Sequence, residues 1–245
     1  MARVVARVQG RNGELVLRAD GGDLEIISNG VFLMDTRDGR SERLLARAVV
    51  AGLPGPGSLL LGGLGVGLTL REALRSALVE RVTVVELEPA VIAWQRTWLR
   101  AHAGDALADP RVEVVCDDLV EWAGRPGGSF DAICVDVDNG PGWTVTPGNA
   151  RLYDPEGLAR LRRRLRPGGV LAVWSAAAAA GFEADLRRLF TDVKALPVEA
   201  ARGEPDVVYV ARAPGPGPAR RPGAVQGDDG ERTGNGSARS RSTRL

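Results

Sequence analysis

The sequence predicts an α/β fold: a parallel sheet with helices on both faces, preceded by a small β-hairpin domain. Three observations carry this expectation. From Ser58 onward, strand-like apolar runs alternate with helical stretches. Those runs are almost continuously apolar, as strands are when both of their faces are covered. Residues 3–51 lack the alternation and read as short strands separated by turn residues.

In chain order, the early strand runs are Val4–Val8, Glu14–Arg18, Leu24–Ser28 and Val31–Met34. Gly10–Gly13, Asp20–Asp23 and Asn29-Gly30 separate them. Asn-Gly between apolar runs marks a hairpin, because a type I′ turn needs positive φ at both central residues. A small sheet of two hairpins is expected. Ser41 then reads as the cap of a helix over Arg43–Ala51, which Pro54–Gly57 ends. The later strand runs are Ser58–Leu61, Val82–Glu86, Val112–Cys116, Ala132–Asp136, Val170–Trp174 and Val207–Ala211. Helical stretches between them are Thr69–Leu78, Pro89–Arg100, Leu119–Ala123, Pro155–Leu165 and Phe182–Leu189. Pro89 and Pro155 stand in first turns, where the missing N–H has no helical partner to lose. Trp94 and Trp98, four apart, are expected in the core. His102 is expected at the surface or the end of its helix, and Cys116 and Cys134 as small buried hydrophobes.

A chain of 245 residues can bury one self-supporting core with a small appendage. The net charge of +1 gives no electrostatic case for nucleic acid or for a membrane surface. One histidine and two isolated cysteines speak against a zinc site and a disulfide framework, so no metal is expected. No run approaches the ~18 apolar residues of a membrane helix, and Met1 is followed by no signal-like segment. The expectation is a cytoplasmic protein. Residues 214–245 are rich in Gly, Pro, Ser and Arg without periodicity, and are expected to form a disordered tail. The expected division is 1–40, 41–213 and 214–245.

The chemistry-bearing residues cluster at strand ends. The Ser58–Leu61 strand leads into Gly62-Gly63-Leu64-Gly65-Val66-Gly67 and then a helix. Glycines there let the chain turn tightly and let a ligand approach the backbone amides. Glu86 ends the next strand, where an acid accepts hydrogen bonds from ribose hydroxyls; Glu88 is its rival. Asp117 ends the third strand with Asp118 beside it, placed for the exocyclic amine of an adenine or for capping a helix. A nicotinamide dinucleotide is disfavoured, because Gly63-x-Gly65 puts Leu68 where the third glycine belongs.

These segments resemble the spermidine synthase family. Gly62–Gly67 is similar to its glycine loop, Val84–Glu88 to its ribose-binding segment and Val115–Asp118 to its adenine-binding one. Phe130–Asp136 resembles the strand that ends in its catalytic aspartate, and Arg166–Leu171 the segment before its fifth strand. Gly30–Phe32 and Thr36–Glu42 resemble its amino-terminal strands and the link behind them. The resemblance implies a Rossmann-like, seven-stranded methyltransferase-type sheet. It also implies decarboxylated S-adenosylmethionine as donor, a small-molecule amine acceptor and a homodimer.

Two departures qualify it. The family's loop has an aspartate where this chain has Gly65, and that carboxylate faces the aminopropyl end of the donor. Without it, selection against the carboxylate of intact S-adenosylmethionine is lost. The family's Asp-x-x-Asp is Asp136-Val137-Asp138-Asn139 here, so the second aspartate has become an amide. Asp136 is expected to orient an attacking amine and accept its proton. Asp138 and Asn139 are candidates for acceptor contact, and Trp143 for stacking over it or for a cation–π contact. Three readings stay open: aminopropyl transfer, methyl transfer from S-adenosylmethionine, and a non-catalytic binding protein on the same fold.

Overall fold

A computed structural model of the chain describes residues 2–199 and 204–215. The expected disordered tail lies almost wholly outside the described residues.

The first four strands are β1 (Arg3–Gly10), β2 (Gly13–Asp20), β3 (Asp23–Ser28) and β4 (Val31–Asp35). They form the expected small antiparallel sheet of two hairpins, in the order β1-β2-β3-β4, with β2 pairing along nearly its whole length with β3 as well as β1. At the β3–β4 turn, Asn29 and Gly30 both have positive φ, as the Asn-Gly pattern predicts.

The main sheet has seven strands in the order β10-β11-β9-β8-β5-β6-β7. Its elements are α1 (Arg40–Ala51), β5 (Gly57–Gly62), α2 (Leu68–Leu74), β6 (Val79–Glu86), α3 (Pro89–Gln95), α4 (Arg100–Ala103), β7 (Val112–Cys116) and α5 (Leu119–Gly124). After these come β8 (Phe130–Val135), α6 (Ala150–Tyr153), α7 (Pro155–Arg163), β9 (Leu165–Ser175), α8 (Ala180–Leu189), β10 (Thr191–Val198) and β11 (Asp206–Arg212). Strands β5 to β9 run parallel, while β11 lies antiparallel to both β9 and β10.

The continuous apolar runs have a direct reading. Alternate residues of each strand enter different cores. Leu59, Leu61, Val84, Cys134 and Ala172 pack on one face with α1. Leu60, Val85, Ile133, Val135 and Leu171 pack on the other with α5, α7 and α8. Burying each such Leu or Ile contributes roughly 1.5–3 kcal/mol. The first core also takes in Leu15, Leu17, Leu24 and Ile26, so the meander shares its apolar face with the main sheet.

Several sequence expectations are corrected. Ser41 is not the cap of α1: Gly39, in the left-handed region, precedes the helix, and Ser41 is buried in its first turn. Helix α2 stops at Leu74, because the Arg111 guanidinium takes the carbonyls of Leu74, Ser76 and Val79. The helix expected over Pro89–Arg100 breaks after Gln95. There Thr97 Oγ1 donates to the Ala93 carbonyl at 3.0 Å, competing with the backbone ladder. Trp94 is therefore core, but Trp98 is exposed. Cys116 is exposed because β7 is a sheet edge, while Cys134 is buried in the centre. Strand β10 lies at the other edge and carries Lys194 and Pro197, so no apolar run announces it. Among the described residues no helix is long and apolar enough to cross a membrane.

Candidate active site

Strand β5 pairs with both β6 and β8, so the connections diverge at its carboxyl end. Ligands of open α/β sheets bind in that crevice. Here the four-stranded meander covers it, and the two sheets enclose a cavity of about 1030 Å³.

The glycine loop forms one wall. Gly63 has φ +85°, and a Cβ there would lie 2.1 Å from the Asp136 carbonyl oxygen, so no side chain fits. Gly65 has φ +48°, and a Cβ there would lie 2.2 Å from Met34 Sδ on β4. The thioether of Met34 thus occupies the space into which a longer residue 65 would project.

Glu86 is buried at the end of β6. Its carboxylate accepts from the Leu64 amide and the Glu88 amide, each at 2.8 Å. Burial pushes its pKa up against these hydrogen bonds. A carboxylate has about four lone-pair sites, so two hydrogen bonds leave capacity for ligand hydroxyls. Glu88 does different work. Its oxygens accept from the amides of Arg11 (2.9 Å) and Asn12 (3.3 Å), fastening the β1–β2 turn to the main sheet. Asp118 lines the cavity and caps α5 by accepting from the Val120 amide at 2.8 Å. Asp117 turns away to Arg125, whose guanidinium holds its carboxyl below the usual range, and it does not line the cavity. Of the two, Asp118 and not Asp117 stands at the cavity wall.

Asp136 follows β8 directly. Its amide donates to the Gly62 carbonyl at 2.8 Å, and its Oδ2 accepts from Thr69 Oγ1 of α2 at 2.9 Å. Burial pushes its pKa up to about 7; Glu42 and Asp206 add to the rise and Thr69 opposes it. Asp138 has φ +60°. Its carboxylate accepts from the amides of Asn139, Val145 and Thr146 and from Asn149 Nδ2, so it holds the 139–149 loop together. Tyr153 steadies the same loop by donating to the Val137 carbonyl. Asn139 is buried against the cavity, while Trp143 stands 59% exposed among its lining residues.

Sequence reasoning missed Glu42, Thr69, Asp206 and Met34. Glu42 lies in the Thr36–Glu42 link but no pattern marks it as a site residue, and each of the four reaches the site through the packing of α1, α2, β11 and β4. Acidic side chains outnumber the two arginines, Arg37 and Arg40, along the lining. The cavity suits a positively charged guest.

The spermine/spermidine synthase domain matches residues 3–180 of the chain. The polyamine aminopropyltransferase of Mycobacterium tuberculosis is 40% identical over 165 residues, covering 65% of this chain and 30% of that protein. Polyamine aminopropyltransferase 1 of Hyperthermus butylicus is 34% identical over 146 residues, covering 58% of this chain and 49% of that protein. The chain therefore spans between 30% and 49% of the length of these two relatives. A spermidine synthase structure in complex with the transition-state analogue AdoDATO has the same fold, with a TM-score of 0.75 at 21% identity over 87% of this chain and 74% of that one.

Proposed function

This chain belongs to the spermine/spermidine synthase family, and on that premise we propose that it is a transferase moving an aminopropyl group from decarboxylated S-adenosylmethionine to an amine. The observation that carries the reading is Asp136, held between the glycine loop and an acid-lined cavity with its pKa raised to about 7.

In this reading Glu86 accepts the ribose hydroxyls, the loop from Gly62 through Gly63 to Gly65 frames the donor, and Asp118 lies toward the adenine. Asp117 can join it only by leaving Arg125. The donor supplies a carbon made electrophilic by the adjacent sulfonium. Asp136 orients the amine nitrogen that bonds to this carbon and takes up its proton. The carbon–sulfur bond breaks, sulfur keeps the electron pair, and methylthioadenosine leaves. The sulfonium needs little activation, so alignment supplies much of the rate. A base with a pKa near 7 is matched to neutral pH.

One observation favours a second reading. With Met34 of β4 against Gly65, a thioether lies where a side chain of the loop would project, and the loop itself offers the donor's alkyl end no carboxylate. That environment tolerates intact S-adenosylmethionine, and methyl transfer follows from it. Calorimetric titration with decarboxylated S-adenosylmethionine, S-adenosylmethionine and methylthioadenosine separates the two. Preference for the decarboxylated donor supports aminopropyl transfer, and equal or tighter binding of the intact one moves the reading to methyl transfer. Absence of binding by all three overturns both and leaves a non-catalytic role. A homodimer in the cytoplasm belongs to the leading reading and is tested by light scattering and cell fractionation.

A further inference from the structure

Asp136 is held at both ends of the glycine loop. Its amide donates to the Gly62 carbonyl at 2.8 Å, where the loop begins, and its carbonyl oxygen lies so close over Gly63 that a Cβ there would come within 2.1 Å. Where the loop ends, Thr69 stands in the first turn of α2 and donates from Oγ1 to Asp136 Oδ2 at 2.9 Å. Thr69 is 4% exposed, so little water competes for its hydroxyl. A helical threonine ordinarily turns that hydroxyl back to a carbonyl three or four residues earlier. Here the carbonyl four residues back, that of Gly65, accepts from Gln95 Nε2 of α3 at 2.6 Å, and the Thr69 hydroxyl reaches across to the acid.

The consequence lies in the two oxygens of Asp136. The last torsion of an aspartate is broad and nearly two-fold, so by itself it does not fix which oxygen faces a ligand. With Oδ2 engaged the torsion is set. Oδ1, which accepts no hydrogen bond among the described residues, is the oxygen left for the cavity that Asp136 lines. The same contact biases ionisation. Facing the acid are Glu42 from α1, Asp206 from β11, Tyr153 from α6 and Cys134 from β8. Glu42 and Asp206 act with burial to raise its pKa, and Thr69 alone of its neighbours favours the charged form.

We propose that Thr69 is a positioning residue for the transfer, its hydroxyl turning the Asp136 carboxylate so that Oδ1 meets the acceptor nitrogen while Oδ2 stays engaged. The inference rests on the transferase reading and deepens it. The nitrogen's proton passes to Oδ1, its lone pair forms the bond to carbon, and the carbon–sulfur electron pair leaves with sulfur. The Thr69 proton remains on Oγ1 throughout, so the residue acts only through Asp136. Because the same acid is anchored to Gly62, base and donor loop are kept in one register. A misplacement of about 1 Å between reacting groups costs on the order of 10²-fold in rate.

The test compares wild type with Thr69→Val, which keeps the branched shape and loses the hydroxyl, and with Thr69→Ser, which keeps the hydroxyl. Release of methylthioadenosine is followed across pH with decarboxylated S-adenosylmethionine and 1,4-diaminobutane, and thermal melts check that both variants fold. The Asp136 carboxyl is also titrated by NMR of its labelled carbon, which needs no turnover. Thr69→Val is expected to lower kcat by about 10–100-fold, with donor KM and methylthioadenosine affinity little changed. The inflection of kcat/KM and the Asp136 pKa are both expected to move up, because a hydrogen bond to the charged form is gone. Thr69→Ser is expected to recover most of the rate and the wild-type inflection. A contact that only supports the fold would change the melt and leave the inflection in place. Thr69→Val with the kcat and inflection of wild type, or Thr69→Ser no better than Thr69→Val, overturns the positioning role and leaves the transferase standing. If the wild type transfers nothing, the transferase reading fails and the NMR titration decides the contact. An Asp136 pKa raised in Thr69→Val and restored in Thr69→Ser then supports the hold of Thr69 on the acid, and an unmoved one overturns it.

Discussion

At the end of the cavity proposed for the donor, the residues apart from Met34 sit within a few positions of a strand's carboxyl end. Gly63 and Gly65 follow β5, Glu86 and Glu88 lie at and just beyond the end of β6, and Asp118 follows β7. At the proposed acceptor end Asp136 and Asn139 have that address. The neighbours of Asp136 are Glu42 from α1, Thr69 from α2 and Asp206 from β11. The donor end is thus made by the chain turning at successive strands, and its contacts are largely side chain to backbone amide. The acceptor end is made by packing, and its couplings are side chain to side chain. The difference predicts that donor binding tracks backbone geometry, whereas chemistry and acceptor choice track charge.

The largest effect that would break this division lies at Asp136. Asp136→Asn is expected to lower kcat by about 10²–10⁴-fold, the span of a lost general base, while methylthioadenosine affinity stays within a small factor. Parallel loss of donor affinity would show that the two ends are not separable. Next is Gly63→Ala. Its Cβ would collide with the Asp136 carbonyl from a left-handed backbone. Destabilisation on the order of 3 kcal/mol is expected in chemical denaturation, with donor binding lost first.

A pH profile sharpens the comparison. With Asp136 raised to about 7, kcat/KM is expected to climb about tenfold per pH unit below that value and level above it; the inflection disappears in Asp136→Asn. The stability consequence has the opposite sense. The folded pKa lies above the reference of 3.8, so the folded state holds more protons than the unfolded one between those values. The contribution of this group to stability is fully present below pH 3.8 and is lost as pH rises through about 7. A Tm that rises across that window in wild type relative to Asp136→Asn would contradict the assignment. The smallest effect is expected from Glu88→Gln. The hairpin amides of Arg11 and Asn12 then meet a neutral acceptor. A loss of about 1 kcal/mol follows, read as a modest fall in donor affinity without change in kcat.

The limits of sequence reasoning run along the same line. The central strands were legible because burial on both faces demands unbroken apolar runs such as Leu59–Leu61 and Ile133–Val135. Edge strand β10 was not, because an edge carries no such demand. Trp98 was misread because Thr97 diverts a helix carbonyl, a contact that periodicity does not register. Asp117 and Asp118 were inseparable by pattern. Their roles depend on which carboxylate Arg125 captures and which caps α5.

By itself the sequence determined the alternating α/β frame, the glycine loop after β5, and the acids Glu86 and Asp136 at strand ends. The reason is that hydrophobic periodicity and turn chemistry act over a few residues and leave their mark in order along the chain. Only the tertiary structure decided that Met34 fills the space beside Gly65, that Asp138 holds a loop, and that Glu42 and Asp206 meet near Asp136. Electrostatic and steric contacts depend on distance in space, and the sheet brings together residues that the chain keeps far apart.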